Sequence, residues 1–129
     1  MSVYLTTARE RGVTVVVFCD SGQSKQKNNF VMLKTLQAAG VQVCCLEGFP
    51  LTSQYTSFSA SSRLQGKNCA MHGKAMLVDN TRYIVGSTNW TKSSQCNVEH
   101  GVSIMLTALG SLRLGEIVDA HLRCGVKFG

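Results

Sequence analysis

The chain lacks the marks of secretion and membrane insertion. Its start, Met1-Ser2-Val3-Tyr4-Leu5-Thr6-Thr7-Ala8-Arg9, has no apolar core of a signal peptide. No apolar run approaches the roughly 20 residues that a spanning helix needs. It also lacks any C-x-x-C pair, and no His stands at zinc-finger spacing from paired cysteines, so neither a metal site nor a cofactor is expected. The six cysteines fall at 19, 44, 45, 69, 96 and 124. Cys19, Cys44 and Cys45 lie inside apolar strand-like runs, where a free thiol behaves as a small hydrophobe. All six are read as reduced, as in an intracellular reducing compartment: the cytoplasm, or the mitochondrial surface if an anchor is missing from this chain. There is no internal repeat, so any functional motif is present once.

Acidic residues are scarce. Seven Asp and Glu stand against thirteen Lys and Arg, which leaves a net charge of +6 and a pI near 9.2. Such a balance favours anionic partners, whether nucleic acid, phospholipid headgroups or phosphorylated small molecules. With 129 residues, 44% apolar and 16% charged, the composition is globular and the length implies a single domain over residues 1–129. A chain of this size buries roughly two-thirds of its unfolded surface, enough for one core.

Residues 2–11 read as a helix closing at Arg11-Gly12, with basic side chains near its C-terminus. Val13-Thr14-Val15-Val16-Val17-Phe18-Cys19-Asp20 is β-branched and apolar on both faces, as in a strand covered on two sides. Residues 21–29 read as a polar loop. Phe30, Leu33, Leu36 and Gln37 then set a helical spacing that ends at Ala39-Gly40, and Val41–Leu46 is a second strand. Strand, helix and strand form a βαβ unit with parallel pairing. Residues 48–70 differ: Gly48 and Pro50 open them, and seven of the eleven residues from Thr52 to Ser62 are Ser or Thr. That stretch reads as a long surface loop insertion leading straight into His72. Near the C-terminus, residues 97–106 alternate like a strand, with Asn97, Glu99, Gly101 and Ser103 on one face. A final amphipathic helix follows, with Leu112, Ile117, Val118 and Leu122 as its apolar side.

The chemistry gathers between Met71 and Thr91. Two apolar alternating runs flank a turn signal at Asp79-Asn80-Thr81, which predicts a β-hairpin. His72 and Lys74 then project on one strand face, two residues apart. At the far end Gly86-Ser87-Thr88-Asn89 sets a hydroxyl and an amide beside a glycine. A nucleophile or base, a fixed cation and neutral hydrogen-bonding groups meet in one small space, which suits chemistry on a phosphate.

The spacing His72-x-Lys74-x4-Asp79-x6-Gly86-Ser87-x-Asn89 resembles the HKD signature of the phospholipase D superfamily. Chance agreement at six fixed positions is on the order of one in ten million or rarer for any one window. Arg11-Gly12-Val13, Ala39-Gly40-Val41, Ser87-Thr88-Asn89-Trp90-Thr91 and Asn97-Val98-Glu99 extend the likeness to the single-motif branch, which holds small bacterial endonucleases and mitochondrial cardiolipin hydrolase/Zucchini proteins. The resemblance covers residues 8–124, with the Ser/Thr-rich loop as an insertion. It implies an α/β fold, a mixed and mostly parallel central sheet flanked by helices. Family members begin with a further strand and a full helix, whereas ten residues precede Arg11 here; either the sheet lacks an edge strand or the chain is a fragment. The N-terminal membrane segment of the cardiolipin hydrolases is also absent from this sequence.

The resemblance implies roles. His72 attacks phosphorus and forms a covalent phosphohistidine, a role to which an imidazole nitrogen is suited. Lys74 binds the nonbridging oxygens, and Asn89 and Ser87 donate hydrogen bonds to them. Glu99 accepts from the second ring nitrogen of His72. Asp79 and Gly86 are structural members of the motif, Asp79 by beginning the turn. The family's second acid is the His of a second motif copy, and neither His100 nor His121 sits in such a motif, so a homodimer with its site on the two-fold axis is implied. The implied reaction is metal-independent phosphodiester hydrolysis, with single-stranded nucleic acid as substrate. The alternatives are a phospholipase D-type hydrolase of cardiolipin and an inactive, truncated phosphate-binding module.

Overall fold

The computed structural model describes residues 2–48, 71–90 and 96–129. They fall into two compact units, Ser2–His72 with Cys124–Gly129, and Gly73–Arg123. The loop insertion of 48–70 lies, apart from Gly48, outside the described residues, as do Cys69 and Thr91.

In the first unit the order is α1 (Ser2–Glu10), β1 (Val16–Asp20), α2 (Ser21–Ser24), α3 (Lys27–Ala38) and β2 (Gln42–Leu46), completed by the last strand of the chain, Val126–Lys127. Both long helices end on a glycine in the left-handed region, Gly12 at φ 87° and Gly40 at φ 85°. There the chain reverses and late helical carbonyls gain partners: Val13 N–H reaches Ala8 O at 3.1 Å and Val41 N–H reaches Leu36 O at 3.1 Å. Strand β1 is shorter than expected, since Val13–Val15 precede it. Residues 21–29 are not a loop. Asp20 Oδ1 accepts Gln23 N–H at 2.8 Å and caps α2, and α3 already starts at Lys27.

Strands β1 and β2 are parallel, in register from Val16↔Gln42 to Asp20↔Leu46, as the βαβ pattern requires. The Val126–Lys127 strand runs antiparallel to β2. The core lies here: Leu33 and Leu36 of α3 pack on Val41, Val43 and Phe128, with Leu5, Val15 and Val17 at its margin. Phe128 is tied in twice, its N–H to Val43 O at 3.1 Å and its carbonyl accepting from Gln37 Nε2 at 2.6 Å. Cys19 and Cys45 face each other across β1 and β2, Sγ to Sγ 3.8 Å. Burial, with the neighbouring Cys45 adding to it, pushes the Cys19 thiol up to about 12. It stays protonated and apolar in character, which matches the reading of these cysteines as small hydrophobes.

The second unit contains β3 (Ala75–Val78), β4 (Arg82–Gly86), β5 (Gly101–Met105) and α4 (Ala108–Cys124), the helix ending one residue past the unit. The strands form an antiparallel meander in the order β3-β4-β5. The α/β class is as the sequence implied. Of the four strand pairings among the described residues, however, one is parallel and three are antiparallel. The final helix also faces differently from expectation. Leu112 and Ile117 are exposed, and the half-buried row is Leu114, Val118 and Leu122. Those three follow one another at intervals of four and so share one helix face, whereas Leu112 and Ile117 lie beside the Arg113–Glu116 ion pair.

The hairpin is closed by Asp79 at φ 49° and Asn80 at φ 54°, with Thr81 N–H returning to Val78 O at 3.0 Å. Two successive left-handed residues are what a type I′ turn needs, and Asp and Asn tolerate that conformation. Asp79 supplies one of the two left-handed residues that close the turn. A β-branched side chain is disfavoured there by about 1–2 kcal/mol. Asn80→Val is expected to lower stability by that amount in urea denaturation, whereas Asn80→Gly holds or raises it.

Candidate functional site

Each side chain of the motif owes its place to the meander. Gly86 ends β4 opposite Gly101, and a Cβ built on it would meet His100 O at 2.5 Å and Gly101 Cα at 2.9 Å. Both are backbone atoms that cannot swing away, so only glycine fits. This close approach lets Ser87 N–H donate to His100 O at 2.9 Å, and on the other side Gly86 N–H reaches Lys74 O at 3.2 Å. Lys74 is thereby held just ahead of β3, half-buried.

Ser87 is the hub. Its hydroxyl donates to Glu99 Oε2 at 2.5 Å and accepts His100 N–H at 3.1 Å. Glu99 takes a second bond on its other oxygen, from Asn97 Nδ2 at 3.2 Å. These two bonds, Ser87 first, hold the Glu99 carboxyl below the usual carboxylate range, and the proximity of His100 and Lys74 adds to the effect. Glu99 is ionised at neutral pH, and each of its oxygens keeps lone-pair capacity for a further donor. Because its folded value is depressed, the bonding around Glu99 contributes to stability above the ordinary carboxylate range. That contribution is lost as pH falls through the lowered value.

The predicted residues are distributed as follows. Ser87 and Glu99 are in direct contact, with Lys74 near enough for its charge to act on Glu99. Asn89 lies two residues past Ser87 in an exposed, irregular stretch and is followed by the exposed Trp90. His72 is exposed and lies ahead of β3 rather than within it; it is the last residue of the first unit's long segment. Glu99 likewise precedes β5. In this structure the one proton of the Ser87 hydroxyl is directed to Glu99. Asn97 and the His100 backbone were not assigned to the site from sequence. Asn97 stands at i−2 from Glu99, and that alternation was its one signal.

Among the described residues no group of His, Cys, Asp and Glu is placed to hold a metal ion. No described helix is long and apolar enough to cross a membrane.

The fold is shared with solved structures. Nuc from Salmonella typhimurium, a phospholipase D family member, superposes with a TM-score of 0.76 at 20% identity, over 98% of this chain and 72% of that one. NucT from Helicobacter pylori does so with a TM-score of 0.74 at 17% identity, over 95% of this chain and 70% of that one. A search of curated proteins returns no match. Residues 2–111 match the family model described as "Cardiolipin synthase, PLD-like domain". The chain belongs to the phospholipase D-like family.

Ser87→Ala removes the main cause of the Glu99 shift. Its carboxyl titration, followed by 13C NMR, is expected to move up toward the ordinary carboxylate value; a midpoint unchanged from the parent protein would contradict this account.

Proposed function

We propose that this protein is a metal-independent phosphodiester hydrolase that works through a covalent phosphohistidine on His72. The observation that carries the reading is the full motif spacing on a folded hairpin, with Lys74, Ser87 and Glu99 drawn together at its open end. Family membership over residues 2–111 supports it. A phosphodiester is anionic and repels nucleophiles, so the site must neutralise charge and supply an attacking atom. Lys74 does the first for the nonbridging oxygens, assisted by Asn89. A neutral imidazole nitrogen of His72 does the second. The N–P bond forms as the bond from phosphorus to the leaving oxygen breaks, and that oxygen takes a proton from an acid. Water then attacks the phosphohistidine, giving a proton to the same group and releasing the phosphomonoester.

That acid is the His72 of a second copy. The sequence holds one motif, so a homodimer sharing one site supplies the pair. One imidazole is neutral and the other charged, and activity therefore follows a bell-shaped pH profile. In this scheme Glu99, ionised and held by Ser87 and Asn97, accepts from the His72 ring and sets its tautomer.

The net charge of +6 favours a polyanion, and single-stranded nucleic acid is the proposed substrate. Hydrolysis of cardiolipin by the same residues is the second reading, and the matching family's name, which includes a cardiolipin enzyme, supports a lipid phosphodiester as substrate. An inactive phosphate-binding module is the third; the presence of His72, Lys74, Asn89 and Glu99 together speaks against it.

The test offers the protein single-stranded DNA, RNA and cardiolipin vesicles side by side, with and without a chelator. Cleavage of single-stranded nucleic acid that survives the chelator is expected, with a loss of at least about 10³-fold in His72→Ala. Cleavage of vesicles alone would select the lipid reading, and inactivity on all three the binding module.

A further inference from the structure

We propose that Asp20 is a positioning residue for His72. This rests on the catalytic reading of His72 given above. Asp20 ends β1, and each of its carboxylate oxygens has its own donor. Oδ1 accepts Gln23 N–H at 2.8 Å, and Oδ2 accepts Met71 N–H at 2.8 Å. Met71 is 51 positions away in sequence and is the residue immediately before His72.

The consequence is geometric. His72 lies outside β3, which begins at Ala75, and on that side the Lys74 carbonyl accepts from Gly86 N–H. Its backbone is thus not set by membership of a strand. The Asp20–Met71 bond supplies a fixed point one residue upstream. Asp20 itself is rigidly placed: it sits in the parallel ladder opposite Leu46, and its other oxygen is locked to the first turn of α2. A bond from an ionised carboxylate to a backbone N–H is stronger than a neutral one. It also defines direction, since the N–H of Met71 must point at Oδ2. Attack on phosphorus demands a nitrogen placed close to in-line with the leaving oxygen. A misplacement of about 1 Å costs on the order of 10²-fold in rate.

A plain capping role is the competing explanation, and Asp20→Ser separates the two. A serine hydroxyl caps α2 through Gln23 N–H as well as Asp does, but its shorter side chain cannot also reach Met71. Three quantities are compared between wild type and variant: the melting temperature, the exchange protection of the Met71 amide, and kcat and KM on bis(4-nitrophenyl) phosphate, a generic phosphodiester. The expected result is a near-native melting temperature, loss of Met71 protection, kcat down by about 10- to 100-fold and KM changed by less than about 2-fold. Should Asp20→Ser fail to fold, Asp20→Asn, with one acceptor oxygen for two donors, carries the same comparison. An unprotected Met71 amide in the wild type overturns the proposal. So does loss of its protection with kcat unchanged. If His72→Ala keeps full activity, the reading of the site falls and the role of Asp20 with it; a dead His72→Ala beside a fully active Asp20→Ser removes Asp20 alone.

Discussion

The contact between Gly86 and the backbone at His100–Gly101 is the constraint on which the candidate site depends. A side chain at Gly86 would strike a carbonyl oxygen and a Cα. Without one, β4 and β5 close to full register as far as Gly86↔Gly101, and the chain beyond each strand emerges side by side. Ser87 then lies against Glu99 and the His100 backbone with no loop rearrangement. On its other edge the same residue bonds to Lys74. A cation, a hydroxyl and a carboxylate from three stretches of chain are thus set by one glycine.

Electrostatics follow from that placement. Glu99 is stabilised as an anion by two neutral donors before any charge acts on it, and the proximity of Lys74 and His100 comes after in importance. A carboxylate held ionised by fixed hydrogen bonds suits the role proposed for Glu99, accepting an imidazole N–H. Asp20 is used in a comparable way, each oxygen committed to one backbone N–H. Acidic residues are scarce in this basic chain, and these two hold structure next to the motif rather than lying free on the surface.

Much of this was legible in the sequence. The His72-x-Lys74 to Asn89 spacing located the hairpin, and Asp79-Asn80 announced its turn by residue type alone. The parallel β1–β2 pair followed from the strand–helix–strand order, and Gly12 and Gly40 marked both helix ends. What escaped had physical causes. The helix over Ser21–Ser24 depends on a cap from Asp20, and a Ser-Gly-Gln-Ser stretch carries little propensity of its own. Two apolar rows run along α4, and periodicity could not choose between them. The bond between Ser87 and Glu99 is a matter of distances across β4 and β5, which spacing does not encode. Nor does sequence reveal a bond such as Asp20 to Met71, spanning 51 positions.

The central claim is that His72 forms the covalent bond to phosphorus, and intact-protein mass spectrometry on rapidly quenched reactions addresses it directly. During turnover of a phosphodiester, an adduct carrying the phosphoryl portion of the substrate is expected, acid-labile and base-stable, mapping to His72 and absent from His72→Ala. Turnover with no adduct under conditions that trap phosphohistidine, or an adduct on another residue, would contradict the account.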